Sequence, residues 1–262
     1  MIDIPIRFVR RSGRTLLIGL LLVAVTAVPG RSDDPQPAAN SRYTVRRVHD
    51  RDGIGKFYMG REIAHVMGYG PRGSGALWLE RPKREQEERL SKLVKALKLK
   101  PGMVVADIGA GSGVVTLLMA PQVEPGGRIK AVDVQKKMLD RLRGRIKQRK
   151  IKNVDPVLGT EKSPRLKPSS IDLAIFVDVY HELAYPYEMI RELSRAMKPG
   201  GRIAFVEYRR EDPKIRRLIK LLHTMAEAQV KKEISQPEFG LKWKQTIEVL
   251  PRQHIVIFER RR

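Results

Sequence analysis

The sequence predicts an α/β protein: a doubly wound, largely parallel sheet of seven strands that ends in an antiparallel hairpin. Three observations carry this. From Leu99 onward strand and helix patterns alternate, which demands parallel strands with helices on both faces. Pro101-Gly102, Pro125-Gly126-Gly127 and Pro199-Gly200-Gly201 each stop one element just before a strand pattern begins. The last two apolar stretches are separated only by Leu250, Pro251, Arg252 and Gln253, too few residues for a parallel crossover.

The strands fall at 103–107, 128–133, 153–158, 171–177, 201–208, 242–249 and 254–260, and the helices at 113–121, 136–149, 186–197 and 213–234. Asp212-Pro213 caps the last helix, whose stripe is Ile215, Leu218, Ile219, Leu222, Met225 and Val230. Ahead of this core (99–262) lies a small helical and irregular cap, 56–98. Its large side chains are broken by Gly60, Gly68, Gly70, Gly73 and Gly75, and Leu90, Leu93, Val94 and Leu97 then recur at helical spacing after Pro82 and a run of glutamates.

Residues 31–55 read as a linker rich in Pro, Ser, Asp, Asn and Arg. Residues 1–30 read as a secretory signal or membrane anchor. Arg7, Arg10, Arg11 and Arg14 precede an uncharged run from Thr15 to Val28, short for a bilayer span but suited to a signal core, with Val25-Thr26-Ala27 suited to cleavage. An exported or membrane-anchored protein is therefore expected, with the arginines on the cytoplasmic side if the segment is retained.

The chain of 262 residues is 42% hydrophobic and 31% charged, with a net charge of +23 and no cysteine. Disulfides and thiolate metal sites are thereby excluded. The basic excess suits anionic surfaces such as lipid or nucleic acid, or is simply a solvated basic face. The sequence contains no P-loop and no hydrolase nucleophile elbow. Its histidines are scattered, and His181 and Glu182 are adjacent rather than spaced for joint ligation, so no metal site is expected.

The most informative stretch is Met103 to Met119, a strand, an acid, alternate glycines and a helix. Asp107, Gly109, Gly111 and Gly113 spell D-x-G-x-G-x-G, with Ala110 inside the turn. Glycines let the backbone approach a ligand, and the following helix start presents free N–H groups to it. A carboxylate at the strand end would repel a pyrophosphate and suit a cation. VVADIGAGSG resembles the first motif of class I S-adenosylmethionine-dependent methyltransferases, and the resemblance extends over residues 99–260.

That resemblance implies a Rossmann-like fold and S-adenosylmethionine as cofactor. It also implies a ribose-binding acid at Asp133, beside Val134, and an adenine contact from Thr160 or Glu161. The fourth motif, ending in Asp178, Val179, Tyr180, His181 and Glu182, would meet the methyl group and the acceptor. His181 is the candidate base, with Glu182 as its partner or as a substrate contact. Tyr58, Arg61, Trp78 and Tyr180 are candidates for the substrate pocket. A small-molecule acceptor is expected; RNA or protein as acceptor, or a non-catalytic cofactor-binding scaffold, are the alternatives.

Overall fold

The computed structural model describes residues 42–261, so the expected signal or anchor at 1–30 lies outside the described residues. Among these residues no helix is long and apolar enough to cross a membrane. The elements in order are β1 (Tyr43–Val45), β2 (Gly53–Tyr58), β3 (Arg61–Ala64), α1 (Ser74–Leu79), α2 (Arg84–Glu88), α3 (Leu90–Ala96), β4 (Val104–Ile108), α4 (Val114–Met119), β5 (Arg128–Asp133), α5 (Lys136–Gln148), β6 (Val154–Leu158), β7 (Ile171–Val177), α6 (Pro186–Ala196), β8 (Met197–Tyr208), α7 (Pro213–Leu218), α8 (Glu227–Ile234), β9 (Leu241–Ile247) and β10 (Gln253–Arg260).

Seven strands form one sheet in the order β6-β5-β4-β7-β8-β10-β9. The first five in that order pair in parallel, and β10 runs antiparallel to both β8 and β9, as the short final connection requires. Side chains alternate between two cores. Ala106, Ala174, Phe176, Ile203, Phe205, Val256 and Phe258 face one layer, and Val105, Leu173, Ile175, Ala204, Val206, Ile255 and Ile257 the other. A period of two with apolar residues on both faces is the pattern of a sheet covered twice. In the first layer Phe176 and Phe205 stack at 5.1 Å and Tyr180 meets Phe205 edge-on at 5.0 Å.

Three expectations need correction. The stretch 31–55 holds more than linker: β1 and the first half of β2 lie in it, and with β3 they make a three-stranded antiparallel sheet, so the segment 56–98 is only partly helical. Met59 (φ 49°) and Gly60 (φ 94°) form the two-residue turn between β2 and β3, a mirror-image turn that matches strand twist. Because its first residue is methionine rather than the usual asparagine, the hairpin was hard to see in the sequence.

The helix expected at 213–234 is two helices, α7 and α8, separated by a 3-10 turn at Leu221–His223. Asp212 does cap α7, accepting from the Lys214 N–H at 2.8 Å. The chain then leaves the helix so that Met225, wholly buried, can bond the end of β8 through its N–H to the Tyr208 carbonyl at 2.9 Å. Tertiary contact outweighs helix propensity here. Finally, β8 begins at Met197, because Pro199-Gly200-Gly201 forms an irregularity within the strand: its pairing with β7 jumps from Ile171↔Met197 to Leu173↔Arg202.

Candidate active site

The chain runs from β4 outward to β6 on one side and from β7 outward to β8 on the other, so strand order reverses between β4 and β7. Ligands of open α/β sheets bind outside the carboxyl ends of the strands at such a point. There the structure has a cavity of about 720 Å³, within the ~300–1,000 Å³ typical of small-molecule sites.

One wall is the glycine turn. Gly109 and Gly111 have φ of 72° and 55°, and a Cβ on Gly109 would lie 2.5 Å from a Val179 methyl. The Gly109 and Ala110 N–H groups donate to the Val132 carbonyl at 2.8 and 2.9 Å, which fixes the turn against β5. Gly109→Ala is expected to cost about 1–3 kcal/mol of stability from backbone strain alone, and to weaken ligand binding because Val179 must move. Chemical denaturation and calorimetry on the purified variant check both.

Two carboxylates flank this turn. Asp107 is 3% exposed and accepts from the Thr116 hydroxyl at 2.5 Å. Burial pushes its carboxyl up to about 6, helped by neighbouring Asp133 and opposed by the Thr116 bond. Asp133 accepts from the Gly111 and Gln135 N–H groups, each at 2.8 Å. Burial raises its pKa too, against those two bonds, with Glu182 adding to the rise. Val134, Thr160 and Glu161 also line the cavity, and Thr160 holds a turn by accepting from Ser163 N at 3.0 Å. Gly113 does not line it. Its place is the start of α4, where a Cβ would meet a Leu142 methyl at 2.3 Å.

The opposite wall comes from the turn after β7 and from parts far away in sequence. Asp178, in a left-handed conformation at φ 54°, accepts from Gln253 Nε2 at 3.2 Å. Burial, with Glu88 and Glu207 nearby, holds its carboxyl well above the usual range. His181 is 2% exposed, and its Nδ1–H donates to Glu207 Oε2 at 2.6 Å. Its Nε2 lies 3.2 Å from His223 Nδ1 and 3.7 Å from Glu182 Oε1. Burial alone would depress this imidazole, but Glu207 and Glu182 together raise it to about 10. The proton held on Nε2 must leave before that nitrogen can act as a base or as a ligand.

Glu182 keeps its charge: its carboxyl is lowered to about 2 by His181 and His223 despite burial. Its other oxygen accepts from the Met67 N–H at 3.0 Å.

Of the substrate-pocket candidates only Trp78 lines the cavity, half exposed at 49%. Tyr58, Arg61 and Tyr180 do not, and each has a packing role instead. Tyr58 and Tyr180 are core residues at 2% and 0% exposure. Arg61 is buried in a two-bond ion pair with Glu233, at 2.8 and 3.1 Å, and donates to the His181 carbonyl at 3.0 Å. The sequence reading also missed residues that do line the site. His223 was hidden inside an apparently continuous helix, and Glu88 inside a run of glutamates taken for a helix start. Glu88 accepts from Arg84 Nε at 2.8 Å and from the Tyr208 hydroxyl at 2.9 Å.

The fold has counterparts. A solved structure titled a SAM-dependent methyltransferase from Aquifex aeolicus superposes with a TM-score of 0.65 at 24% identity, covering 71% of this chain and 97% of that one. An uncharacterised 37.1 kDa protein in transposon TN4556 of Streptomyces fradiae is 31% identical over 117 residues, 45% of this chain and 33% of that protein. Demethylmenaquinone methyltransferase of Listeria welshimeri is 24% identical over 114 residues, 44% of this chain and 48% of that enzyme. The chain thus spans about half the length, or less, of these curated relatives. The family model described as a methyltransferase domain matches residues 99–250, more than half of the chain and all of the sheet up to the final hairpin turn. The chain belongs to the methyltransferase domain family.

Proposed function

We propose that the protein transfers the methyl group of S-adenosylmethionine to a small molecule. One observation carries this reading: a single cavity joins the glycine turn and its two carboxylates to the cluster of His181, Glu182 and His223. The turn with Asp107 and Asp133 suits a donor that carries an ammonium group and ribose hydroxyls. Between the walls Ile54, Val66, Leu79, Leu183, Leu218 and Ile219 supply apolar surface, which suits an acceptor of mainly hydrocarbon character with one polar handle. The family relationship and the demethylmenaquinone methyltransferase relative support methyl transfer to such a molecule.

Displacement at a sulfonium methyl needs the acceptor's lone pair in line with the departing sulfur. Alignment of this kind is worth up to roughly 7–11 kcal/mol of barrier reduction. In this reading His181, Glu182 and His223 face the acceptor, with His181 held from behind by Glu207.

Calorimetry with S-adenosylmethionine is the first test. Micromolar binding at one site is the expected result; no binding, with uptake of a nicotinamide or flavin nucleotide instead, would overturn the proposal. Binding of RNA with a steep salt dependence would move the acceptor to a nucleic acid. We also infer from residues 1–30 that the protein is exported or anchored. Amino-terminal sequencing of the mature chain would begin after Ala27 if the segment is cleaved as a signal.

A further inference from the structure

We propose that His181, Glu182 and His223 form a binding site for a divalent transition-metal ion of the zinc type, opening into the cavity. The three facing atoms are His181 Nε2, Glu182 Oε1 and His223 Nδ1, and they make a compact triangle with edges of 3.2, 3.3 and 3.7 Å. A tetrahedral ion with bonds of ~2.0–2.1 Å to nitrogen and oxygen requires ligand separations of about 3.3–3.4 Å. The triangle therefore matches three corners of such a tetrahedron with little movement. Two histidines and one carboxylate leave the fourth corner for water or a substrate atom. All three residues line the cavity, so that corner can face it.

The surrounding bonds orient each ligand. Histidines that bind metals usually donate their other ring N–H to a carboxylate, and His181 does so to Glu207, whose Oε1 is itself fixed by the Tyr180 N–H at 2.9 Å. Glu182 is turned likewise: the Met67 N–H occupies Oε2 and leaves Oε1 for the triangle. Such an arrangement presents one oxygen rather than two. His223 comes from the turn between α7 and α8, so the cluster ties that segment to the turn after β7. A pair of imidazoles with a carboxylate is a borderline donor set, which favours zinc, cobalt, nickel or iron(II) over magnesium or calcium.

The site's use deepens the methyl-transfer reading and rests on it. An ion bound by the three residues would hold a hydroxyl, phenol or thiol of the acceptor at its open corner. The acceptor oxygen or sulfur would lose its proton to solvent on binding the ion. It would then form its bond to the methyl carbon as the carbon–sulfur bond of S-adenosylmethionine breaks, leaving S-adenosylhomocysteine.

Zinc binding can be measured without turnover. Chelator-stripped full-length protein, titrated with Zn²⁺ and separately with Co²⁺ and Mg²⁺, is expected to bind one Zn²⁺ or Co²⁺ per chain, with no comparable Mg²⁺ binding. His223→Asn and Glu182→Gln should each weaken Zn²⁺ binding at least 100-fold, and Glu207→Gln, which touches no metal, about 10–100-fold. Circular dichroism of each variant shows whether it has folded, and the His223→Asn change sits on a partly exposed turn where folding is least at risk. Zn²⁺ binding equal in parent and His223→Asn, or absent from the parent, overturns the proposal. Calorimetry with S-adenosylmethionine on the same samples separates the two readings. Donor binding without Zn²⁺ binding ends the metal site alone, and Zn²⁺ binding without donor binding ends the methyl-transfer reading alone.

Discussion

Asp107→Asn is expected to weaken S-adenosylmethionine binding by 100-fold or more while making the unliganded protein more stable at pH 8. Both effects come from one buried charge. The carboxyl is held near 6, against an ordinary 3.8, chiefly because it is buried. That difference corresponds to about 3 kcal/mol by which ionisation is disfavoured in the folded state. The sign is fixed by the raised value. Below about pH 4 the group is protonated folded and unfolded, and its full contribution to stability is present; that contribution disappears as pH rises through 6.

Asparagine removes the charge and leaves an acceptor for the Thr116 hydroxyl. The variant should therefore gain on the order of 1–3 kcal/mol at pH 8 and almost nothing at pH 4. Urea unfolding at the two pH values measures this. A cationic donor reverses the preference, because it rewards the ionised form. Donor affinity in the parent should then fall as pH drops below about 6, by up to tenfold per pH step of one, and an affinity flat from pH 8 to 5 would contradict the role given to Asp107.

Arg61→Ala is expected to destabilise the fold by about 3–5 kcal/mol, the usual cost of stranding one partner of a buried ion pair. Arg61 and Glu233 are 4% and 0% exposed, and Gln229 also donates to Glu233 at 2.7 Å. Glu233→Ala should cost a similar amount, since it leaves the guanidinium without its partner. Replacing both by methionine should cost far less than the sum of the two, because no buried charge then remains. Denaturant midpoints for the two single variants and the double variant form the cycle that tests it. If Arg61 instead bound substrate, its loss would change KM and leave the midpoint near that of the parent.

These two residues also mark what the sequence could and could not disclose. Asp107 was legible because its whole setting is local: strand, acid, glycines and helix occupy consecutive positions, and short-range pattern determines the turn. The sheet was legible for a similar reason, since period-two apolar strands and proline–glycine stops are written residue by residue. Arg61 was not. An arginine among tyrosines reads equally well as a pocket wall or as half of a buried pair, and its partner lies 172 residues away. Tyr58 and Tyr180 failed in the same way, because their burial depends on layers brought together only by the fold.

His223 is the sharper case. The stripe from Ile215 to Val230 fits one helix, and only the demand that Met225 reach the end of β8 breaks it and turns the imidazole toward His181. The absence of ligand spacing along the chain therefore said nothing about ligands assembled from two turns.

The two walls of the cavity differ in how the chain supplies them. Residues 107–161 build nearly all of the wall assigned to the donor in the proposed reaction from one continuous stretch, whereas the opposite wall is gathered from positions as far apart as Asp52, Trp78, His181 and His223. Under the proposed methyl transfer, substitutions or insertions in the three-stranded sheet or in the segment between the last two helices would therefore reshape what is methylated without disturbing how the methyl donor is held. Diversification of acceptors on this scaffold would begin at those two appendages, and a graft exchanging both together would be the natural way to transplant specificity.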